Sequence, residues 1–223
     1  MTPPEGTVLR YPAVTRVNHW ITAICFVLLT LSGLSMFHPI FFFLSTLFGG
    51  GQWTRAVHPW IGILLVLSYA GLVYQFWRDN FWTPDDTAWV RRIDLILVNE
   101  EEGVPEVGQF NAGQKFVFWA MALLIPVLLL TGLVIWEVYF SAFTPLVVQR
   151  IAVLLHSLAA IAAILVWIVH VYAGIWVRGS MQAMTRGYVT PGWAWRHHRK
   201  WLRGLVASKS TRPQPQPRAK GAP

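Results

Sequence analysis

RIAVLLHSLAAIAAILVWIVHVYAGIWVR, from Arg150 to Arg178, decides the fold. Between the two arginines lie 27 residues without Asp, Glu, Lys or Arg. A helix crosses the hydrocarbon core of a bilayer in about 20. Two histidines sit inside the run, His156 and His170. Their spacing of fourteen residues is about 21 Å along a helix, and about 100° per step returns the second ring to within about 40° of the first. One helix therefore presents two imidazoles on one face, at two depths. A polar ring in hydrocarbon is costly and marks function. The plainer reading of either ring alone is a hydrogen bond to a neighbouring helix.

The rest of the composition agrees with a membrane protein. Of 223 residues, 55% are apolar and 13% charged, against roughly 25% charged in soluble domains. That length makes one domain with room for several crossings. The single cysteine, Cys25, lies in an apolar run, so this chain alone builds neither a disulfide nor a thiolate metal or iron–sulfur site. A net charge of +8 invites a nucleic-acid reading. It is rejected because most basic residues flank apolar runs or lie in the C-terminal tail. The first apolar run is too long for a cleavable signal.

The pattern predicts an all-α fold: an integral membrane four-helix bundle with a surface amphipathic segment between helices 2 and 3. The helices are expected at about 18–37, 57–77, 114–136 and 150–177. Pro39 ends the first. The apolar stretch from Phe41 to Phe48, closed by Gly49-Gly50-Gly51, is too short to span and reads as interfacial or re-entrant. His58 is placed at the start of helix 2, with Pro59 in the tolerated first turn. Between Arg78 and Lys115 the chain is acidic, and Trp89 to Val98 predicts a short amphipathic surface helix. Pro126 predicts a kink in helix 3. After Arg178, Trp193, Trp195 and Trp201 among basic residues predict an interfacial segment on an anionic leaflet. The membrane domain is expected over 1–207 and a disordered Pro/Arg-rich tail over 208–223.

Basic residues orient the bundle. Of 18, all but Arg55 and Arg150 fall in the N-terminal lead, the middle loop or the C-terminal region. Four crossings put those regions on one side, which the positive-inside rule makes the cytoplasm. His19 then lies at the cytoplasmic end of helix 1 and His58 at the outer end of helix 2. On helix 4, His156 is outer and His170 cytoplasmic. Only His58 with His156 and His19 with His170 share a depth. Two imidazoles on facing helices suit the two axial positions of a haem. Zinc normally takes four ligands, and no carboxylate or thiolate lies beside either pair. Gly33, Gly62, Gly132 and Gly174 leave room for a flat cofactor, or simply let helices pack closely. His38, His197 and His198 read as solvated or interfacial.

The stretches Arg16-Val17-Asn18-His19-Trp20, His58-Pro59 with Gly62, Asn111-Ala112-Gly113-Gln114-Lys115, His156-Ser157 and His170-Val171-Tyr172-Ala173 carry a likeness. Across about residues 7–203 the sequence resembles the membrane cytochrome b (gamma) subunits of respiratory formate dehydrogenases. The Asn-x-Gly-Gln-Lys stretch is the most specific feature. The b-type cytochromes of hydrogenases and thiosulfate reductases share the general plan, and a haem-free membrane anchor or transporter is the alternative of another class.

The resemblance implies two haems b, the outer on His58 and His156 and the cytoplasmic on His19 and His170. It implies menaquinone reduction near the cytoplasmic haem, with Asn111, Gly113 and Gln114 as quinone contacts. It also implies an iron–sulfur beta subunit on the outer face, fed by a molybdenum or tungsten catalytic alpha subunit, at a bacterial inner membrane with both termini cytoplasmic. The chain would be an electron-transfer subunit that carries the quinone-reducing site and breaks no bond of formate. Asn111 and Gln114, three apart at a helix start, can turn their amides to one pocket. Without the resemblance, Asn111 as a helix cap is the simpler reading. Asp79, Asp85, Asp86 and Glu100, Glu101 and Glu102 lie on the side from which protons would come, or are plain loop charges.

Overall fold

The computed structural model describes residues 4–98, 100 and 103–210. The long helices are α1 (Ala13–Phe37) and α2 (Gly51–Phe76), joined by a 3₁₀ helix over Pro39–Phe48. Short helices α3 (Pro84–Val90) and α4 (Ile93–Leu97) follow. Then come α5 (Ala112–Val134), α6 (Leu146–Trp176), and the short α7 (Ser180–Thr185), α8 (Pro191–His197) and α9 (Arg199–Ser210). Among the described residues, four helices are long and apolar enough to cross a membrane. The chain is a multi-pass membrane protein built as an all-α bundle. Large apolar side chains such as Leu64, Leu67, Leu123 and Leu165 stay exposed around its waist, as a lipid-facing surface requires.

Local chemistry sets the helix ends. His38, before Pro39, takes an extended conformation and stops α1. Gly49 (φ 86°) and Gly50 (φ 100°) adopt the positive φ that favours glycine, and α2 begins directly after them. This corrects the expected start of helix 2. Because α2 starts at Gly51, His58 and Pro59 lie two turns inside it, and Pro59 leaves out one bond of the helical ladder. The other long helices start a few residues earlier than expected, and α5 runs through Pro126.

The Pro39–Phe48 segment is a long run for a 3₁₀ helix. It packs on α1 and α2, with Ile40, Phe42, Phe43 and Leu47 left exposed. The middle loop departs from the single helix expected over Trp89 to Val98. Thr83 and Asp86 form a capping box with Pro84 at the first position, so α3 starts early and stops before Arg91-Arg92; α4 is a separate turn. The expected tail from Ser208 is helical through Ser210, and residues 211–223 lie outside the described residues.

The segment before α1 meets the segment after α7. Strand β1 (Val8–Leu9) pairs antiparallel with β2 (Tyr188–Val189), Val8 opposite Val189. This terminal end has its own small core of Tyr11, Ala183, Val189 and Ala194, flanked by Phe76, Phe110, Trp193 and Trp201. The opposite, loop end carries the 3₁₀ segment and an aromatic cluster in which Trp136 lies 5.2 Å from Trp60 and 5.0 Å from Tyr139. Such rings suit a membrane–water interface.

Midway between the ends, Cys25, Phe26, Leu65, Met121, Ile125 and Ala163 form the main core. Phe26 is seven residues after His19, Leu65 seven after His58, and Ala163 seven from both His156 and His170. Two helical turns thus separate each histidine level from a dry middle layer. Helix α1 packs along α2 and α5 along α6, while α1 and α6 touch sparingly.

Candidate functional site: two histidine pairs

The structure brings together the two pairs that depth alone predicts. At the loop end, His58 on α2 faces His156 on α6 with ring centres 6.4 Å apart and planes at 62°. At the terminal end, His19 on α1 faces His170 on α6 at 6.2 Å and 54°. Two imidazoles ligating one metal from opposite faces put their ring centres about 6.2–6.4 Å apart, given about 2.0 Å from metal to nitrogen and about 1.1–1.2 Å from nitrogen to ring centre. A direct ring-to-ring hydrogen bond would draw the centres to about 5 Å. Among the described residues no group of three or more His, Cys, Asp or Glu could hold a metal ion. Each pair is therefore a two-ligand set, which suits the axial positions of a haem whose porphyrin supplies the other four.

Behind the loop-end rings stand two hydroxyls. Ser32 Oγ on α1 lies 2.7 Å from His58 Nδ1, and Thr131 Oγ1 on α5 lies 2.9 Å from His156 Nδ1. Each hydroxyl donates its own proton to the carbonyl four residues back, Leu28 at 2.8 Å and Val127 at 2.6 Å. The rings are thus left to donate from Nδ1, which leaves the Nε2 lone pair free to ligate a metal. Two of the expected small residues lie beside the same rings. A Cβ on Gly33 would come 3.6 Å from His58 Cε1, and one on Gly132 3.4 Å from His156 Cε1. Gly62 meets nothing within 4 Å, and Gly174 sits under Met181.

The terminal pair is built otherwise. His19 Nδ1 is buried and has no hydrogen-bond partner among the described residues. The ring lies edge-on to Trp20, whose Nε1 donates to Met184 O at 3.1 Å. Beside it, an amide–hydroxyl knot joins α1 to α2. Asn18 Nδ2 donates to Ser68 O at 2.9 Å, Ser68 Oγ donates to Asn18 Oδ1 at 2.8 Å, and Thr22 Oγ1 lies 2.6 Å from Ser68 Oγ. Gly71 permits this approach, since a Cβ there would stand 3.1 Å from Asn18 Nδ2. His170 is exposed, whereas the other three rings are half-buried.

Residues 10–187 match the family model for prokaryotic cytochrome b561. The chain belongs to that family. Membership implies haem b, and the paired imidazoles fit it. This cytochrome b561-family chain is 43% identical over 199 residues to the formate dehydrogenase cytochrome b556(fdo) subunit of Escherichia coli K12, covering 89% of this chain and 93% of that one. It is 36% identical over 205 residues to the formate dehydrogenase cytochrome b556 subunit of Haemophilus influenzae, covering 92% and 86%. It is likewise 36% identical over 203 residues to the nitrate-inducible formate dehydrogenase cytochrome b556(Fdn) subunit of E. coli K12, covering 91% and 94%.

The Asn111-Gly113-Gln114 motif of this cytochrome opens α5 at the terminal end. Asn111 Oδ1 accepts from Gln114 N at 2.9 Å, and Asn111 N donates to Gln114 Oε1 at 3.0 Å. The capping role is therefore occupied, and it uses only the amide oxygens. Both NH₂ groups remain without a hydrogen bond to the described residues. Trp89 of α3 lies over Gly113, 3.6 Å from where a Cβ would be. No ring contact or hydrogen bond joins this motif to His170 among the described residues.

The next residue, Lys115, is buried and reaches Asp86 Oδ2 at 2.6 Å and Phe81 O at 3.0 Å. Burial alone would raise the Asp86 carboxyl, but hydrogen bonds from Lys115 and Thr83 hold it below the usual carboxylate range. Asp86 is thus no free loop charge. Asp85 pairs with Lys200 at 2.5 Å, and Glu106 with Arg203 at 2.8 Å and Arg199 at 3.5 Å. Glu101 and Glu102 lie outside the described residues.

One histidine is corrected. His198, expected in solvent, is buried, and its Nδ1 donates to Gly108 O at 2.9 Å. Trp193 packs against it with ring centres 5.2 Å apart and planes tilted at 38°, and burial, helped by nearby Arg10, lowers its pKa to about 3. Arg10 is buried too. Its guanidinium sits 4.3 Å over Trp201 and donates to Gln109 O. The signal available in the sequence was aromatic: Trp193 and Trp201 flank His198 at −5 and +3. His38 is exposed as expected, and His197 is half-buried against Trp193.

Proposed function

We propose that this chain is the membrane di-haem cytochrome b subunit of a formate dehydrogenase complex. It passes electrons from an iron–sulfur subunit on the outer face, through two haems b, to menaquinone at the cytoplasmic side of a bacterial inner membrane. The observation that carries this reading is the pair of ring separations, 6.4 Å and 6.2 Å, at two levels of one bundle. The names of the relatives supply the complex. The crowding of basic residues at the terminal end supports a cytoplasmic placement of both termini.

When bound, each haem supplies one-electron redox chemistry. The protein's part is positional. His58 and His156 would hold the outer iron through Nε2, and His19 and His170 the cytoplasmic one. The Phe26–Leu65–Ile125–Ala163 layer keeps water out between the two levels. Asn111 and Gln114 offer amide donors to a quinone carbonyl, and Gly113 keeps the approach beside Trp89 open. A molybdenum or tungsten catalytic subunit, beyond the iron–sulfur subunit, oxidises formate.

The test is a haem spectrum of the purified chain followed by isolation of its complex. Two haems per chain and copurification with a molybdopterin-containing subunit are expected. A chain without a Soret band refutes the cytochrome reading, and a nickel–iron partner refutes the formate dehydrogenase assignment.

A further inference from the structure

We propose that Ser32 and Thr131 are positioning residues that set the redox character of the loop-end haem, making it the lower-potential of the two centres. The inference rests on the di-haem reading above and adds a role for two residues outside the ligand set.

The geometry is reciprocal. Ser32 belongs to α1 and serves a ring on α2; Thr131 belongs to α5 and serves a ring on α6. Ser32 is fully buried and Thr131 nearly so, so neither hydroxyl can turn to water instead. Each is anchored by its bond to the carbonyl one turn back. A hydroxyl held in that way accepts from Nδ1–H of the imidazole. Donation from Nδ1 makes the ring more electron-rich and strengthens Nε2 as a ligand. An electron-rich axial ligand favours ferric over ferrous iron and lowers the potential.

At the terminal end, His19 Nδ1 is buried with no acceptor among the described residues, and among those residues no hydroxyl is hydrogen-bonded to His170 as Ser32 and Thr131 are to the loop-end rings. The basic residues gathered at that end also favour the reduced, more negative state of the iron. Both effects separate the potentials in the same direction. An electron entering at the loop end then moves downhill to the terminal end. The hydroxyls also fix ring orientation, since each bond constrains rotation of its imidazole.

The test is a redox titration of the purified complex, read optically and by electron paramagnetic resonance of the ferric haems. His156→Ala identifies which signal belongs to the loop-end centre. In the unaltered complex the loop-end midpoint should be the lower. Ser32→Ala and Thr131→Val should each raise that midpoint and shift its g-values, leaving the terminal-end signal in place. Ser32→Thr and Thr131→Ser, which keep a hydroxyl, should restore both. Loss of the loop-end haem in Ser32→Ala that Ser32→Thr repairs supports the same role. Unmoved potentials and g-values, a loss that the hydroxyl variants do not repair, or a loop-end midpoint above the other would overturn the proposal. Absence of haem from the unaltered complex would instead overturn the di-haem reading on which it rests.

Discussion

At the loop end His58 and His156 stand 6.4 Å apart with a hydroxyl behind each ring; at the terminal end His19 and His170 stand 6.2 Å apart, and His19 has no partner for its Nδ1 among the described residues. The spacing is common to both, and it is the spacing two imidazoles take when they address one metal from opposite faces. The surroundings differ because they answer to different neighbours. The loop-end rings are enclosed by helix, with Gly33 and Gly132 against their edges. The terminal-end pair lies near an amide–hydroxyl knot and under a cap of paired strands and short helices, and His170 is open on one side. One site is shaped to hold a group still. The other is at the end that also carries the buried Lys115–Asp86 pair and His198.

The strongest way to break this comparison is to remove one ligand. His156→Ala should halve haem content and spare the terminal-end spectrum, whereas His19→Ala should do the reverse. A normal two-haem spectrum in either variant would refute the pairing.

The next effect is on stability and belongs to the terminal end alone. Asp86→Ala leaves the Lys115 ammonium buried and unpaired, and loss of one partner of a buried pair costs about 3–5 kcal/mol. Thermal unfolding in detergent should show it, and an unchanged midpoint would mean that the pair is solvated. The folded Asp86 carboxyl lies below its ordinary value. Its contribution is therefore complete above the unfolded value of 3.8 and lost as pH falls through the lower folded one.

His198 makes the same end acid-sensitive over a higher window. Its pKa is lowered from 6.5 to about 3, so the folded state holds the ring neutral while the unfolded chain binds a proton. Stability is complete above 6.5 and should fall by up to about 1.4 kcal/mol per pH unit down toward 3. Fluorescence of Trp193 and Trp201 would report the cap loosening before the loop-end haem spectrum changes. Simultaneous change at both ends would show that the cap and the bundle unfold together. In His198→Gln the slope over that window should flatten.

Smaller effects sharpen the contrast. Asn111→Ala removes the cap of α5 and should cost about 1 kcal/mol, together with a larger loss of quinone reduction if its NH₂ serves the substrate. A stability loss with full quinone reduction would leave Asn111 as a cap only. Gly132→Ala places a methyl 3.4 Å from His156 Cε1, closer than the 3.6 Å of Gly33→Ala from His58. It should perturb the loop-end haem signal slightly and more than Gly33→Ala does; equal spectra would show that the ring has room to yield.

Much of this was legible from Arg150–Arg178 and the positions of four histidines. Hydropathy and the 3.6-residue period are local properties, and a bilayer turns them into depth, so His58 had to meet His156 and His19 to meet His170. The distribution of basic residues likewise implied that the N-terminal lead and the C-terminal region lie on one side of the bundle, and β1 pairs with β2 at one end of it. The start of α2 was missed because Gly49-Gly50-Gly51 read as a break in the chain and Pro59 as a first-turn residue. Two positive-φ glycines let the helix begin at once, and Pro59 was absorbed inside it. The burial of His198 was missed because its surroundings come from Arg10, Gly108 and Trp201, far apart in the chain.

Ser32 and Thr131 mark the boundary between the two kinds of knowledge. Nothing in a spacing rule joins Ser32 to His58, 26 residues on, or Thr131 to His156, 25 residues on. Sequence alone determined how many times the chain crosses and at what depth each imidazole sits, because these follow from the period of one helix in one solvent. Tertiary structure decided which hydroxyl stands behind which ring and which lysine is buried, because these depend on the rotation of one helix against the next, and that is fixed only when their side chains pack.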